Sequence, residues 1–335
     1  MAANSLWGEF ELIETRGLRK SFQSRRRRQT TTVEAVRGVD LSVAEGEIFG
    51  FLGPNGAGKT TTLRMLATLL PPDGGEATIF GADLLKDPEG VRRRIGYVAQ
   101  TGGTTNEVTA REELVIQARV YGIGKSEAQE RAGRAIDAFG MVEFADRPCK
   151  TYSGGQRRRL DIALGVIHNP KALFLDEPTV GLDPQSRNSV WTEVDRLRGE
   201  GMTVFLTTHY LEEADSLCDR ISIIDHGEIV AEGTPEHLKR DIAGDVIIVG
   251  LGDITAKEGQ AAAAQKALAD QPYLRKIEVP QDNALRLYVE TGATAIPLIL
   301  RTLEGAGIEP EMVQLQRPSL DDVFLTKTGR TIAQA

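Results

Sequence analysis

The sequence predicts an α/β domain followed by a smaller α+β domain. Residues 10–235 alternate short β-rich runs with helical patterns. Several of those runs are wholly apolar and end in a polar cluster, as buried strands of an open α/β sheet do. After a pause at Arg240–Gly244, a second set of elements begins at Asp245 and reads βαββαβ. The division is therefore placed at 10–240 and 245–335.

The first irregular stretch is Gln23–Thr32, where Arg25, Arg26, Arg27 and Arg28 precede a Thr run without periodicity. It reads as an exposed hairpin tip, suited to a solvated loop or to contact with anionic lipid or nucleic acid. Glu47-Ile-Phe-Gly-Phe-Leu52 follows as a buried strand. It runs into Gly53, Pro54, Asn55, Gly56, Ala57, Gly58, Lys59 and Thr60, a full match to G-x-x-x-x-G-K-[ST]. Thr61 and a helix bearing Leu63, Leu66 and Leu70 come next, stopped by Pro71-Pro72. Glycines let successive N–H groups point inward, and the helix N-terminus adds positive dipole. In such a loop Lys59 reaches the β/γ-phosphates and Thr60 offers its hydroxyl to Mg²⁺. The strand before and the helix after are the context this chemistry requires, so nucleotide binding is expected.

Ala172-Leu-Phe-Leu175 is a second apolar strand and ends in Asp176-Glu177. A strand-end Asp beside a phosphate loop can hold Mg²⁺, and its neighbour Glu177 then points toward the γ-phosphate, able to accept a proton from water. Met202–Thr208 is a third such strand, ending in His209, which can link Glu177, the γ-phosphate and the water. His168, His226 and His237 have no comparable setting; His226-Gly227 reads as a hairpin turn. Tyr152-Ser-Gly-Gly-Gln156 opens a helix with Leu160, Ala163, Leu164 and Ile167 on one face, and by itself says no more than a capped helix start.

The second set comprises strand 245–251, helix 255–270, strands 275–279 and 284–290, helix 294–305 and strand 308–316. Pro280-Gln-Asp-Asn supplies a turn between the middle strands, and the order suggests a ferredoxin-like unit. No catalytic constellation gathers there. Leu320, Val323 and Phe324 make one apolar helix stripe near the C-terminus. The net charge of −8 argues against a general nucleic-acid binder. Cys149 and Cys218 lie far apart, which excludes a disulfide framework and points to a reducing compartment. No apolar run approaches the roughly 20 residues that cross a bilayer, so a soluble intracellular chain is expected.

Taken together, these motifs closely resemble the ATP-binding-cassette (ABC) ATPases over about residues 10–240. Gly53–Thr60 is similar to the Walker A loop, Gln100 to the Q-loop, and Ser153-Gly154-Gly155-Gln156 to the signature. Asp176 and Glu177 resemble Walker B with its catalytic glutamate, Asp183 in Gly181-Leu-Asp-Pro184 the D-loop, and His209 the switch histidine. Tyr152 stands in place of the signature's usual Leu, and Phe22 falls where the family stacks an aromatic on adenine. The resemblance implies a P-loop NTPase fold with a RecA-like core, an antiparallel β subdomain and a helical subdomain. It also implies ATP and Mg²⁺ as cofactors, with Thr60, Gln100 and Asp176 at the metal and Glu177, His209 and Lys59 in catalysis.

In this family two cassettes pair head to tail around ATP. A chain with one motif set is thus expected to homodimerise and, lacking a span, to serve a separate integral membrane permease from the cytoplasmic face of the membrane. Docking is expected near Gln100–Leu114, where Glu107, Glu112 and Glu113 read equally as contacts or as a solvated face. Pro318-Ser-Leu-Asp-Asp-Val-Phe324 resembles the tail motif of daunorubicin/doxorubicin-resistance-type exporter ATPases, which implies expulsion of drugs or other hydrophobic compounds. Alternatives are a transporter for polysaccharide, lipid or ion, or a non-transport cassette ATPase acting on nucleic acid or the ribosome. The latter relatives carry coiled coils, zinc insertions or two cassettes, features this sequence lacks, and no nucleic-acid partner is expected.

Overall fold

The computed structural model describes residues 11–26, 29–251, 260–279, 284–316, 318–330 and 332. The chain divides into two units, the first ending at Glu232 and the second beginning at Gly233.

In the first unit, strands β1 (Glu11–Arg26) and β2 (Gln29–Ala44) form a long antiparallel hairpin whose pairing continues to Arg26 opposite Gln29. The predicted irregular tip Gln23–Thr32 is shorter than expected: Gln23–Arg26 pair with Gln29–Thr32 as strand, the antiparallel ladder simply continuing, and Arg27 and Arg28 lie outside the described residues. β3 (Ile48–Leu52) leads through the phosphate loop into α1 (Lys59–Leu66). Then come β4 (Gly74–Ile79), β5 (Ala82–Asp83), α2 (Pro88–Arg94) and β6 (Ile95–Val98). Helices α3 (Ala110–Val120), α4 (Lys125–Ala138) and α5 (Gly154–Val166) form a helical insertion, with a 3-10 turn at Cys149–Thr151. The chain returns through β7 (Ala172–Asp176), α6 (Pro184–Gly199), β8 (Thr203–Thr208), α7 (Leu211–Leu217), β9 (Arg220–Asp225) and β10 (Glu228–Gly233).

Two sheets result. One has the order β2-β1-β4-β5; the other has the order β10-β9-β3-β8-β7-β6, with β3, β6, β7, β8 and β9 paired in parallel. Every residue of β3, β7 and β8 is buried, as a parallel strand covered on both faces requires. Phe49, Phe51 and Phe174 gather around Phe205 with ring centroids 5.4–5.9 Å apart, a spacing worth about 0.5–1.5 kcal/mol per pair beyond the area buried. This core fixes the ends of β3, β7 and β8 side by side, and the motif residues sit at those ends. His226 (φ +48°) and Gly227 (φ +83°) form the predicted β9–β10 turn. Cys149 and Cys218 are free and buried. No helix among the described residues is long and apolar enough to cross a membrane.

The second unit opens with α8 (Pro235–Ala243), so this helix, placed by the sequence largely in the first domain, groups with the second. β11 (Asp245–Gly250), α9 (Gln260–Leu268), β12 (Leu274–Glu278), β13 (Ala284–Val289), α10 (Gly292–Gly305) and β14 (Met312–Gln316) follow the expected βαββαβ order. The first part of the predicted helix 255–270 and the turn Pro280–Asn283 lie outside the described residues. The sheet is antiparallel, in the order β12-β13-β11-β14. α11 (Leu320–Thr328), capped by Ser319, packs on α8 and buries Leu320, Val323 and Phe324. The apolar stripe therefore serves this unit's own packing. Truncating Phe324, which is fully buried, to alanine should remove about 3–5 kcal/mol of stability. A lower urea midpoint with unaltered ATP affinity is the expected outcome.

Candidate active site

The phosphate loop forms where β3 leaves the sheet. Gly58, at the N-cap of α1, has φ +109°, and a Cβ there would come 2.4 Å from Ala35 O, so only glycine fits. No side chain caps α1, and its first-turn N–H groups and dipole offer an anion site. Asn55 and Gly56 are exposed at the crest, while Ala57 anchors the loop by accepting the Gly227 N–H at 2.9 Å.

Lys59 is buried at 3% exposure, and its Nζ donates to Gly53 O at 2.7 Å and Pro54 O at 3.0 Å. It also faces Glu177 Oε1 at 3.2 Å. Burial pulls the Lys59 ammonium below its ordinary pKa, and the Glu177 charge works against that pull. Asp176 ends β7 with no exposure, and its Oδ1 accepts from the Thr60 and Thr207 hydroxyls, each at 2.8 Å. Its Oδ2 is buried without a hydrogen-bond partner. That orphaned carboxylate oxygen beside the Thr60 hydroxyl is a hard-oxygen donor set that fits Mg²⁺.

Glu177 adopts φ +45°, a conformation that L residues with side chains rarely take. Thr207 holds it there, its carbonyl and hydroxyl both accepting the Glu177 N–H, at 3.1 and 3.0 Å. The carboxylate accepts from Gln100 Nε2 at 2.9 Å. His209 Nδ1 lies 3.3 Å from Oε1, close but outside hydrogen-bond geometry. Lys59, Thr60, Gln100, Asp176, Glu177 and His209 thus converge at the ends of β3, β6, β7 and β8. Gln100 meets Glu177; its hydrogen bond is to the carboxylate.

The remaining motif residues serve local structure within this chain. Ser153 caps α5 in a reciprocal capping box with Gln156. Asp183 caps α6, accepting from Ser186 N at 2.9 Å and Ser186 Oγ at 2.7 Å, and those bonds hold its carboxyl below the usual range. A Cβ on Gly155 would meet Ser186 Oγ at 2.6 Å and one on Gly154 would meet Leu182 at 3.3 Å, so these two turns pack on each other. Phe22 pairs with Val33 across the hairpin and is 43% exposed, with Lys20 Nζ 5.9 Å from its ring centre.

Four contributors went unremarked in the sequence. Thr207 clamps both carboxylate residues, and its place at the end of an apolar strand before His209 was the available signal. Glu213 of α7 is fully buried and accepts from Thr179 Oγ1 at 2.8 Å and Trp191 Nε1 at 2.9 Å, tying the segment behind His209 to the segment behind Glu177. Arg158 and Asp161 are buried as well, so the buried face of α5 is wider than the four apolar residues predicted, and Leu164 is only half-buried. Burial pushes the Asp161 carboxyl up to about 6 from 3.8. The folded state therefore binds this proton more tightly than the unfolded chain, and ionising Asp161 lowers stability as pH rises through that window. Asp161→Asn should gain up to about 3 kcal/mol over the parent at neutral pH. The gain should shrink as pH falls from about 6 toward 4, as read by thermal melts across pH.

Comparison with known proteins agrees with this geometry. Residues 36–180 match the ABC transporter family, and residues 233–328 match the C-terminal domain of DrrA1-3-like ATP-binding proteins. The daunorubicin/doxorubicin resistance ATP-binding protein DrrA of Streptomyces peucetius is 44% identical over 95% of this chain and 92% of its own length. The chain belongs to the ABC transporter ATP-binding proteins, in the DrrA-type branch. The linearmycin resistance ATP-binding protein LnrL of Bacillus subtilis is 38% identical over 89% of this chain and 94% of its own length. Among solved structures, a dimeric post-hydrolysis ATP-binding cassette, MJ0796 with ADP and Pi, is 27% identical with a TM-score of 0.60. It spans 66% of this chain and 98% of its own. The protein is an ABC ATPase cassette with a DrrA-like C-terminal domain.

Proposed function

We propose that this cassette hydrolyses ATP to drive a separate membrane permease that expels drugs or antibiotics. The observation that carries the chemistry is the buried cluster in which Glu177 meets Lys59, Gln100 and His209 at the mouth of the phosphate loop. A triphosphate on the α1 N-terminus competes with Glu177 for the Lys59 ammonium, and Lys59 then stabilises charge on the transferring phosphoryl group. Glu177 takes a proton from the attacking water as the water oxygen bonds to the γ-phosphorus and the bond to the β–γ bridging oxygen breaks, releasing ADP and phosphate. His209 and Gln100 orient the water and the base. Thr60, Asp176 and Gln100 are the residues that would hold Mg²⁺, which when bound neutralises charge between the β- and γ-phosphates. Phe22 offers its face to adenine.

Ser153–Gln156 and Asp183 act across the interface of a homodimer, a reading supported by the dimeric state of the related cassette and by the absence of a link from these turns to the phosphate loop among the described residues. Drug export rests on the resistance functions of the two relatives and on the shared C-terminal domain. The site of action is then the cytoplasmic face of the membrane, with the permease docking near Gln100–Leu114. The second unit, from about residue 233 onward, is an accessory domain whose strand order, second-third-first-fourth, supports a ferredoxin-like class. Cells carrying the chain with its permease should survive daunorubicin, doxorubicin or linearmycin only when Glu177 is intact. Equal survival with Glu177→Gln would refute the coupling of hydrolysis to export.

A further inference from the structure

The loop that carries Gln100 is held on both sides by one helix, α5, which begins at the Ser153 turn. Arg158, 5% exposed, donates Nη1 to Ala99 O at 2.8 Å and Nη2 to Asp176 O at 3.3 Å. The Asp161 carboxylate packs against the backbone at Gly102, two residues past Gln100. Residues 158 and 161 stand three apart on a helix and so share a face. The backbone just before Gln100 is thus bonded to this stripe of α5, and the backbone just after it packs on the same stripe. Gly102 lies directly on Asp161: a Cβ there would come 2.4 Å from Oδ2 and 2.9 Å from Oδ1. Further along, Arg157 Nη2 reaches Asn106 Oδ1 at 3.0 Å and Cys149 O at 2.9 Å. From the other side, Glu113 of α3 accepts the Thr105 N–H at 2.6 Å.

An ordinary helix face in this place would be apolar. Burying a carboxylate and a guanidinium there costs stability unless they are well paired. Burial lifts the Asp161 carboxyl toward about 6 and lowers the Arg158 guanidinium, and the groups facing Asp161 are Arg157, Arg158 and, from α3, Glu113. Two charges kept at a stability cost beside a reactive centre point to a task in the reaction cycle.

We propose that Arg158 and Asp161 are positioning residues that clamp the Gln100 loop to the signature helix, so that the Gln100 amide and the Ser153 turn move as one body. The clamp sets where Gln100 meets Glu177 and carries any movement of the permease-facing loop to the turn presented to the second cassette. This rests on the ATPase reading above and adds residues outside the phosphate loop, the Walker B pair and the switch histidine.

The test uses the full-length chain with ATP and magnesium. Gly102→Ala and Asp161→Ala should each lower kcat about 10–100-fold, because small misplacement of an orienting group is that costly. The KM for ATP should stay within about twofold, since the groups that bind phosphate are untouched. The double variant should be no slower than the slower single variant, because both changes release the same clamp. Asp161→Asn keeps a side chain of the same shape against Gly102 and should retain a kcat close to the parent's. Amide hydrogen exchange over residues 101–106 should accelerate in Asp161→Ala while that over 48–66 stays unchanged. Parental kcat in both single variants, a loss confined to KM, additive losses, or unchanged exchange at 101–106 would each overturn the clamp. Gly102 is exposed, so its variant tests the idea even if Asp161→Ala folds poorly. A parent chain without ATPase activity would defeat the functional reading instead, and the exchange measurement would still decide the clamp.

Discussion

Glu177→Gln should cut steady-state phosphate release by about 10²–10⁴-fold, the usual worth of a positioned general base, while ATP stays bound. Glutamine keeps the shape of the side chain and can still hydrogen-bond to Gln100, yet it cannot accept a proton from water. The strained φ of +45° and the Thr207 bonds to the Glu177 N–H are backbone features and survive the change. With hydrolysis blocked and the phosphate loop intact, ATP should accumulate between two copies of the chain. Gel filtration with ATP and magnesium should show a dimer that the parent forms only transiently. Unaltered turnover would remove Glu177 from its assigned role.

Lys59→Ala should weaken ATP binding by about 10–100-fold, the value of a hydrogen bond to a charged group. The same change leaves Glu177, 6% exposed, without its cation. Breaking a buried pair by removing one partner costs about 3–5 kcal/mol, so the melting temperature of the unliganded protein should fall as well. The two effects separate the roles: a variant with lower stability but parental ATP affinity would show Lys59 as a structural partner of Glu177 and nothing more. Titration of a fluorescent ATP analogue, beside a thermal melt, reads both.

The site was largely legible because its chemistry is carried by contiguous residues. Gly53–Thr60 encodes loop, anion site and cation in one run, and an apolar strand ending in Asp176-Glu177 announces its own placement. The same holds for Ser153-Gly-Gly-Gln156, although its capping box and its packing on Ser186 show how little such a turn reveals when read alone. Arg158 and Asp161 were not legible. On a helical pattern they look like solvent-facing charges, and what makes them internal is a loop roughly sixty residues earlier in the chain folding over them. Thr207 and Glu213 escaped for a related reason, since a Thr in a β-rich run and a Glu in a polar helix turn are the ordinary occupants of such places.

By itself the amino-acid sequence determined the two-unit organisation, the parallel core, the order of the second unit and the nucleotide motifs. These depend on local properties: hydrophobic period, turn chemistry and glycine at positions no other residue can fill. Tertiary structure alone decided which charges were buried and with whom. It set Lys59 on Glu177, left one oxygen of Asp176 without a partner, drew Gln100 to the Glu177 carboxylate and wrapped the Gln100 loop over α5. Such pairings arise from close packing between elements distant in the chain. The energy of a charge depends on what surrounds it in space, and no spacing along the sequence records that.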